Sequence, residues 1–154
     1  MVVTTFIARV VDGLILCESW DSGDGGGMSD SQNQKNKAKM LLKKLQNTDP
    51  KCSVESGSCV FHYMIDNGVV YLVLADRAYP KAMAFRFLED IKNLFIQHLV
   101  SDWGQGVDLR SKIETIDKPY HFIRFDRTIA KKKQEYRDPQ ASGSMQKFDK
   151  SYDT

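Results

Sequence analysis

Among the residues that could carry chemistry, the glycine-rich stretch from Gly23 to Gly27 comes first. Glycine-rich turns can hold phosphates with their backbone N–H groups. Here no Lys-Ser or Lys-Thr follows at the spacing of a P-loop, and no dinucleotide fingerprint follows a strand. Asp21 and Asp24 are typical of a calcium loop, but glycines occupy ligand positions and Gln32 replaces the closing glutamate. We therefore expect no catalytic residue, cofactor or metal here, although a small enzyme that binds a nucleotide or coenzyme A through this stretch stays an alternative.

The three histidines do not have the spacing of a metal site. His62, His98 and His121 fall in a predicted strand, near a helix end and in a loop. Glu89 and Asp90 are adjacent on a predicted helix, so their carboxylates point about 100° apart and do not suit paired acid–base catalysis. We interpret all five residues as ordinary surface or core groups.

The three cysteines, Cys17, Cys52 and Cys59, lack the CxxC spacing of a zinc or redox site and lie in apolar, strand-like stretches. Buried thiols in a reducing, cytosolic compartment are therefore expected, rather than disulfides or a nucleophile. No stretch approaches the roughly 20 apolar residues that span a bilayer, so the chain is expected to be soluble.

The net charge of +2 gives no overall attraction to nucleic acid, so any basic surface must be local. Two basic patches stand out, Lys35, Lys37, Lys39, Lys43 and Lys44 in one and Lys131 to Lys133 in the other. They lack interleaved aromatic residues, which argues against nucleic-acid binding. They predict solvated helix faces, or a weak contact with an anionic membrane surface.

The elements that position these residues are predicted first as strands. Five runs qualify, namely Val2 to Val10, Leu14 to Cys17, Cys52 to Ser56, Cys59 to Ile65 and Val69 to Ala75. Asn67-Gly68 between the last two runs is the strongest hairpin signal in the chain. Because Val69 to Ala75 is apolar almost without alternation, helices are expected on both faces of the sheet.

Helical spacing predicts three main helices around this sheet. Ala38, Leu41, Leu42 and Leu45 share one face of a first helix, which follows a mobile loop from Asp21 to Ser31 and ends at Asn47 to Pro50. A second helix begins at Pro80, with its apolar stripe formed by Ala84, Phe87, Leu88, Ile91, Leu94 and Phe95. Ser101 to Lys118 reads as a connection with a short helix near Leu109 to Ile113, and after Pro119 the spacing of Phe122, Phe125, Ile129 and Tyr136 predicts a last helix. The order β-β-α-β-β-β-α-α predicts an α+β domain with a five-stranded, mostly antiparallel sheet, the first helix on one face and the later two on the other.

Five spaced segments carry a family resemblance. They are Phe6 to Leu14, Phe61 to Tyr63, Val70 to Leu74, Ala84 to Asp90 and Lys118 to Asp126. In this order they resemble the longin domains, in particular those at the N terminus of the R-SNAREs that work between the endoplasmic reticulum and the Golgi. The chain departs from the family at Gly23 to Gly27 and in the longer connection from Ser101 to Asp117.

The resemblance implies a profilin-like longin fold over residues 1–137, with a linker and the possible start of a SNARE motif in residues 138–154. It implies a regulatory, non-enzymatic domain at the cytosolic face of ER and Golgi membranes. The partners it implies are its own downstream SNARE segment, COPII coat subunits and cognate SNAREs. A longin subunit of a tether or adaptor complex is the alternative within the same architecture.

The resemblance also implies a binding groove between the first helix and the third strand. Its walls would be Met40, Leu41 and Lys44 on one side and Ser53, Val54 and Glu55 on the other. Downstream, Met145, Phe148 and Tyr152 lie at i, i+3 and i+7, the spacing of first SNARE layers.

Overall fold

The computed structural model describes residues 2–20, 28–45, 49–57 and 59–136. Its strands are β1 (Val2–Arg9), β2 (Ile15–Trp20), β3 (Lys51–Ser56), β4 (Cys59–Asp66) and β5 (Val69–Asp76). Its α-helices are α1 (Met28–Leu42), α2 (Lys81–Trp103), α3 (Leu109–Glu114) and α4 (Asp126–Glu135), and a 3-10 helix, Ile123–Phe125, precedes α4. The predicted order of elements is confirmed.

The five strands form one sheet in the order β2-β1-β5-β4-β3, and every neighbouring pair is antiparallel. The hairpin between β4 and β5 turns at Asn67 and Gly68, which have φ angles of 51° and 81°. Such a turn needs positive φ at both central residues, which Asn-Gly supplies at little cost. The predicted hairpin is therefore confirmed.

The central strand β5 is buried on both faces, as its continuous apolar sequence predicts. Tyr71 and Val73 point to a core that is completed by α2, α3 and α4. Leu72 and Leu74 point to a second core, which α1 covers. The α+β layering with one helix on one face and the later helices on the other is confirmed.

Aromatic rings join the later helices to the sheet. Phe95 of α2 meets Tyr71 of β5, Phe122 and Phe125 edge to face, with ring centroids 6.1, 5.1 and 5.3 Å apart. Phe122 and Phe125 lie in a turn and in the 3-10 helix, ahead of α4. Their helical spacing therefore identified core residues correctly but placed the start of the last helix too early.

Four predicted boundaries are wrong. Helix α1 begins at Met28 inside the predicted loop, and it ends at Leu42 instead of Asn47 to Pro50. Leu45 is still buried beside α1, because a turn after the helix brings its side chain into the same core as the apolar residues of α1. Strand β2 continues to Trp20, past Cys17, because its pairing with β1 extends through polar residues. Helix α2 continues to Trp103, into the predicted connection.

Candidate protein-binding surface

The two edges of the sheet differ in how they are covered. Along the outer edge of β2, the backbone N–H of Tyr120 donates to the Ile15 carbonyl at 2.7 Å, and that of Phe122 donates to the Leu16 carbonyl at 2.9 Å. Within the described ranges, β4 is the only strand whose backbone pairs with β3, and no strand pairs with the outer edge of β3. An uncovered edge strand is a ready template for pairing with another strand. The β3 edge is therefore the candidate binding surface.

The ladder between β3 and β4 shows which backbone groups of β3 point outward. The N–H of Ile65 donates to the Pro50 carbonyl at 2.7 Å, so Pro50 faces β4. In an antiparallel pair this orientation repeats every second residue, which places Cys52 and Val54 in bonded pairs with β4. The N–H and C=O groups of Ser53 and Glu55 consequently point to the open edge.

The structure brings part of the predicted groove together on the α1 face. Leu41 and Val54 are both half-buried and pack against the core that α1 covers. Met40 is 59% exposed and Lys44 is exposed as well. On this face Leu41 and Val54 therefore contribute to the same core, and Met40 adds one large exposed side chain on α1.

The other two predicted wall residues lie on the opposite face of the sheet. Ser53 Oγ is 2.7 Å from Nδ1 of His62, whose ring packs edge to face against Phe85 of α2. Glu55 forms an exposed ion pair with Arg77 at 3.1 Å. The six predicted residues therefore do not line one trough. They flank the β3 edge from both faces, which an added extended strand would contact through alternate side chains.

A polar cleft of about 710 Å³ lies on the α2 face beside β3, with Ser53, Glu55, His62, Arg77 and Lys81 in its lining. Burial and the positive charge of Lys81 lower the pKa of His62 to about 4. The ring is therefore neutral at pH 7 and is too weak a base to activate the Ser53 hydroxyl. The Ser53–His62 contact is a structural hydrogen bond.

His62 and Arg77 are the residues that sequence reasoning missed at this surface. A usable signal existed for His62, because Ser53 lies three positions before the end of β3 at Ser56 and His62 lies three positions after the start of β4 at Cys59. Two residues equidistant from a tight turn face each other across a hairpin. No comparable signal pointed to Arg77, since its partner Glu55 lies 22 positions away.

Of the thiols expected to be buried, that of Cys17 is buried, whereas those of Cys52 and Cys59 are only partly buried. Burial raises the pKa of the Cys17 thiol to about 12, so it is not a nucleophile. Within the part of the chain that the structure describes, no group of three histidine, cysteine, aspartate or glutamate side chains could hold a metal ion. No helix of that part is long and apolar enough to cross a membrane. The stretch Gly23 to Gly27 and the residues Met145, Phe148 and Tyr152 lie outside the described residues.

Both basic patches are partly neutralised. Lys35 Nζ lies 2.6 Å from the nearly buried carboxylate of Glu18, which also accepts a hydrogen bond from the Tyr120 hydroxyl at 3.0 Å. Lys132 lies 3.9 Å from Asp90 and also pairs with Glu135 in the next turn of α4. Lys35 and Lys132 form ion pairs within the domain, so fewer positive charges are left to contact an anionic surface than the sequence suggests.

Comparison with known proteins agrees with the fold. The model of the longin family, described as a regulated-SNARE-like domain, matches residues 16–129. The chain is 42% identical over 146 residues to vesicle-trafficking protein SEC22b of Xenopus tropicalis and 43% identical over 151 residues to the 25.3 kDa vesicle transport protein SEC22-1 of Arabidopsis thaliana. It is 34% identical over 149 residues to protein transport protein sec22 of Schizosaccharomyces pombe.

These alignments cover 94–96% of this chain but only 63–64% of the length of the relatives. The family model alone spans most of the described sheet and helices. The α+β architecture, the strand order and the three relatives all lead to the same assignment. The chain belongs to the longin domain family.

Proposed function

We propose that this chain is the regulatory longin domain of an R-SNARE in ER–Golgi vesicle transport, and that it acts by binding rather than by catalysis. Residues 1–137 form the domain, and residues 138–154 lead into its SNARE segment. The names of its relatives support a role in vesicle traffic. The full-length protein would work at the cytosolic face of ER and Golgi membranes.

The observation that carries this proposal is the outer edge of β3, with which no strand of the described residues pairs. Its outward N–H and C=O groups at Ser53 and Glu55 would bond to an extended segment, and the half-buried side chains of Leu41 and Val54 would contact side chains of that segment. Met40, which is exposed on α1, would be covered at the same time. Main-chain bonds supply the affinity in this mode of recognition, and alternate side chains supply the specificity.

The occupant that we propose is the downstream SNARE segment of the same protein. An intramolecular occupant needs little intrinsic affinity, because tethering gives it a high effective concentration. COPII coat subunits and cognate SNAREs would then read whether the edge is occupied. A weak contact with an anionic membrane would use the lysines of the first helix that are not paired, each worth about 1 kcal/mol near such a surface.

The test compares amide chemical shifts of the intact chain with those of a variant in which Met145, Phe148 and Tyr152 are replaced by alanine. If the segment docks, the amides of Leu41 and Val54 should shift between the two proteins. A control with alanine at Gln146, Lys147 and Ser151 should leave them in place. Unchanged amide chemical shifts along β3 and α1, or shift changes confined to another surface, would show that the groove is assigned wrongly.

A further inference from the structure

The β3 edge has a charge pattern that is complementary to itself. Lys51 and Glu55 stand two residues to either side of Ser53, and the side chains of all three lie on the same face of the sheet. The Lys51 side chain is exposed, and the Glu55 side chain is 69% exposed. Two antiparallel copies of such a strand can therefore place opposite charges across from each other.

The orientation of the backbone selects the register of such a pair. Ser53 and Glu55 direct their N–H and C=O groups outward, so the bonded pairs of a new antiparallel ladder must fall at odd-numbered residues. Two such registers overlap five residues of each strand, with the twofold axis at Ser53 or at Val54. The register with Ser53 opposite Ser53 of the partner subunit is the one that pairs opposite charges. It sets Lys51 opposite Glu55 of the partner subunit, and the twofold axis repeats that ion pair.

The other face of the sheet is compatible with the same register. Cys52 lies opposite Val54 of the partner subunit in a non-bonded pair, where side chains approach most closely. Cys52 and Val54 are both half-buried and apolar, and both pack against the α1-side core. The ion pair of Glu55 with Arg77 does not prevent the new contact, because both side chains are more than half exposed and such pairs are weak.

We propose that two copies of this chain pair through their β3 edges around a twofold axis at Ser53, so that the two five-stranded sheets become one. The partner for this surface is a second copy of the chain. This pairing requires only the open edge and its charges, so it is independent of the proposed function. Because an added SNARE segment would use the same edge, the two occupants exclude each other.

The experiment measures self-association of the intact chain by sedimentation equilibrium over a range of concentrations. Lys51→Glu and Glu55→Lys each turn both ion pairs of the dimer into like-charge pairs. Each variant alone should therefore weaken the dimer about tenfold or more. The double variant, in which the charges are exchanged, should regain the wild-type association.

An equimolar mixture of the two single variants gives a test that needs no double variant. A heterodimer would set glutamates on one copy against lysines on the other at both ion pairs, so the mixture should associate more strongly than either component alone. The matched control mixes Lys118→Glu with Asp117→Lys, which carry the same net charges on an exposed loop. That mixture should gain nothing over its components.

Three results would each overturn the proposal. The wild-type chain could be monomeric at all concentrations, or the single charge reversals could leave the dimer unchanged. The mixture of the two single variants could also associate no better than its components. The alanine test of the SNARE segment reads amide shifts caused by Met145, Phe148 and Tyr152, so each proposal can fail without the other.

Discussion

Replacing Arg9 with methionine should lower the free energy of unfolding by several kcal/mol. Arg9 is buried at the end of β1, and its Nη1 donates to the carbonyl oxygens of Ile113 at 2.9 Å and Ile116 at 2.8 Å. Nη1 also reaches the Glu114 carbonyl at 3.3 Å, while Nε and Nη2 hold both oxygens of Asp12. One side chain thus fastens the first hairpin to the end of α3.

The size of the loss in unfolding free energy depends on which partners of Arg9 are left without a donor. Asp12 is half exposed and can be rehydrated, so its ion pair contributes only about 0–1 kcal/mol. The Ile116 carbonyl loses its donor, and an orphaned buried carbonyl costs about 1–3 kcal/mol. The Ile113 carbonyl keeps the N–H of Ile116 at 3.2 Å, so the loss of its bond to Arg9 costs only about 0.5–1.5 kcal/mol. Methionine keeps much of the side-chain volume, so we expect a total loss of about 1.5–4.5 kcal/mol, mainly from the Ile116 carbonyl.

Urea denaturation followed by circular dichroism measures this loss. Arg110→Met is the matched control, because Arg110 lies in α3 and its 3.5 Å ion pair with Glu114 is more than half exposed on both sides. The control should cost under about 1 kcal/mol. A loss below about 1 kcal/mol for Arg9→Met, or equal losses for the two variants, would show that the buried carbonyls do not depend on Arg9.

Three further predictions concern buried polar groups. Burial holds the pKa of Cys17 near 12, so a thiol reagent at pH 8 should modify it only after unfolding, and rapid labelling of three thiols in the native protein would contradict this. Because the pKa of His62 is about 4 in the fold against about 6.5 in the unfolded chain, stability should fall as pH drops from about 6.5 toward 4. Urea titrations of His62→Asn should show a shallower dependence on pH, and an unchanged slope would refute the assignment. Tyr136→Phe removes a hydroxyl that donates to Asp90, so thermal unfolding should show a loss of about 1–2 kcal/mol, whereas an unchanged melting temperature would contradict this bond's contribution.

The parts of the fold that follow from local rules could be predicted from the sequence. Asn67-Gly68 specified its hairpin because few residue pairs accept positive φ at both central positions. Val69 to Ala75 indicated two covered faces because an unbroken apolar strand cannot face water. Both signals depend on neighbouring residues alone, and both are confirmed.

The parts that depend on distant partners could not be predicted. The bonds of Arg9 join residues more than 100 positions apart, and no local pattern indicates them. The backbone bond from Tyr120 to Ile15, which covers the β2 edge, is equally remote in sequence. The candidate groove shows the same limit, because the sequence named Ser53 and Val54 together while the alternation of the strand sends their side chains to opposite faces.

Hydrogen exchange along β3 reports whether an extended segment is docked at the open edge. In a dilute sample of the intact chain, where self-pairing is negligible, a docked SNARE segment should slow exchange of the outward N–H groups of Ser53 and Glu55. Cys52 and Val54 already bond to β4, so their exchange should stay the same. Compared with the chain that carries alanine in place of its three SNARE-layer residues, the wild type should therefore show added protection at alternate residues only. Equal exchange rates of the Ser53 and Glu55 N–H groups in the two proteins would show that no SNARE segment is docked at the β3 edge.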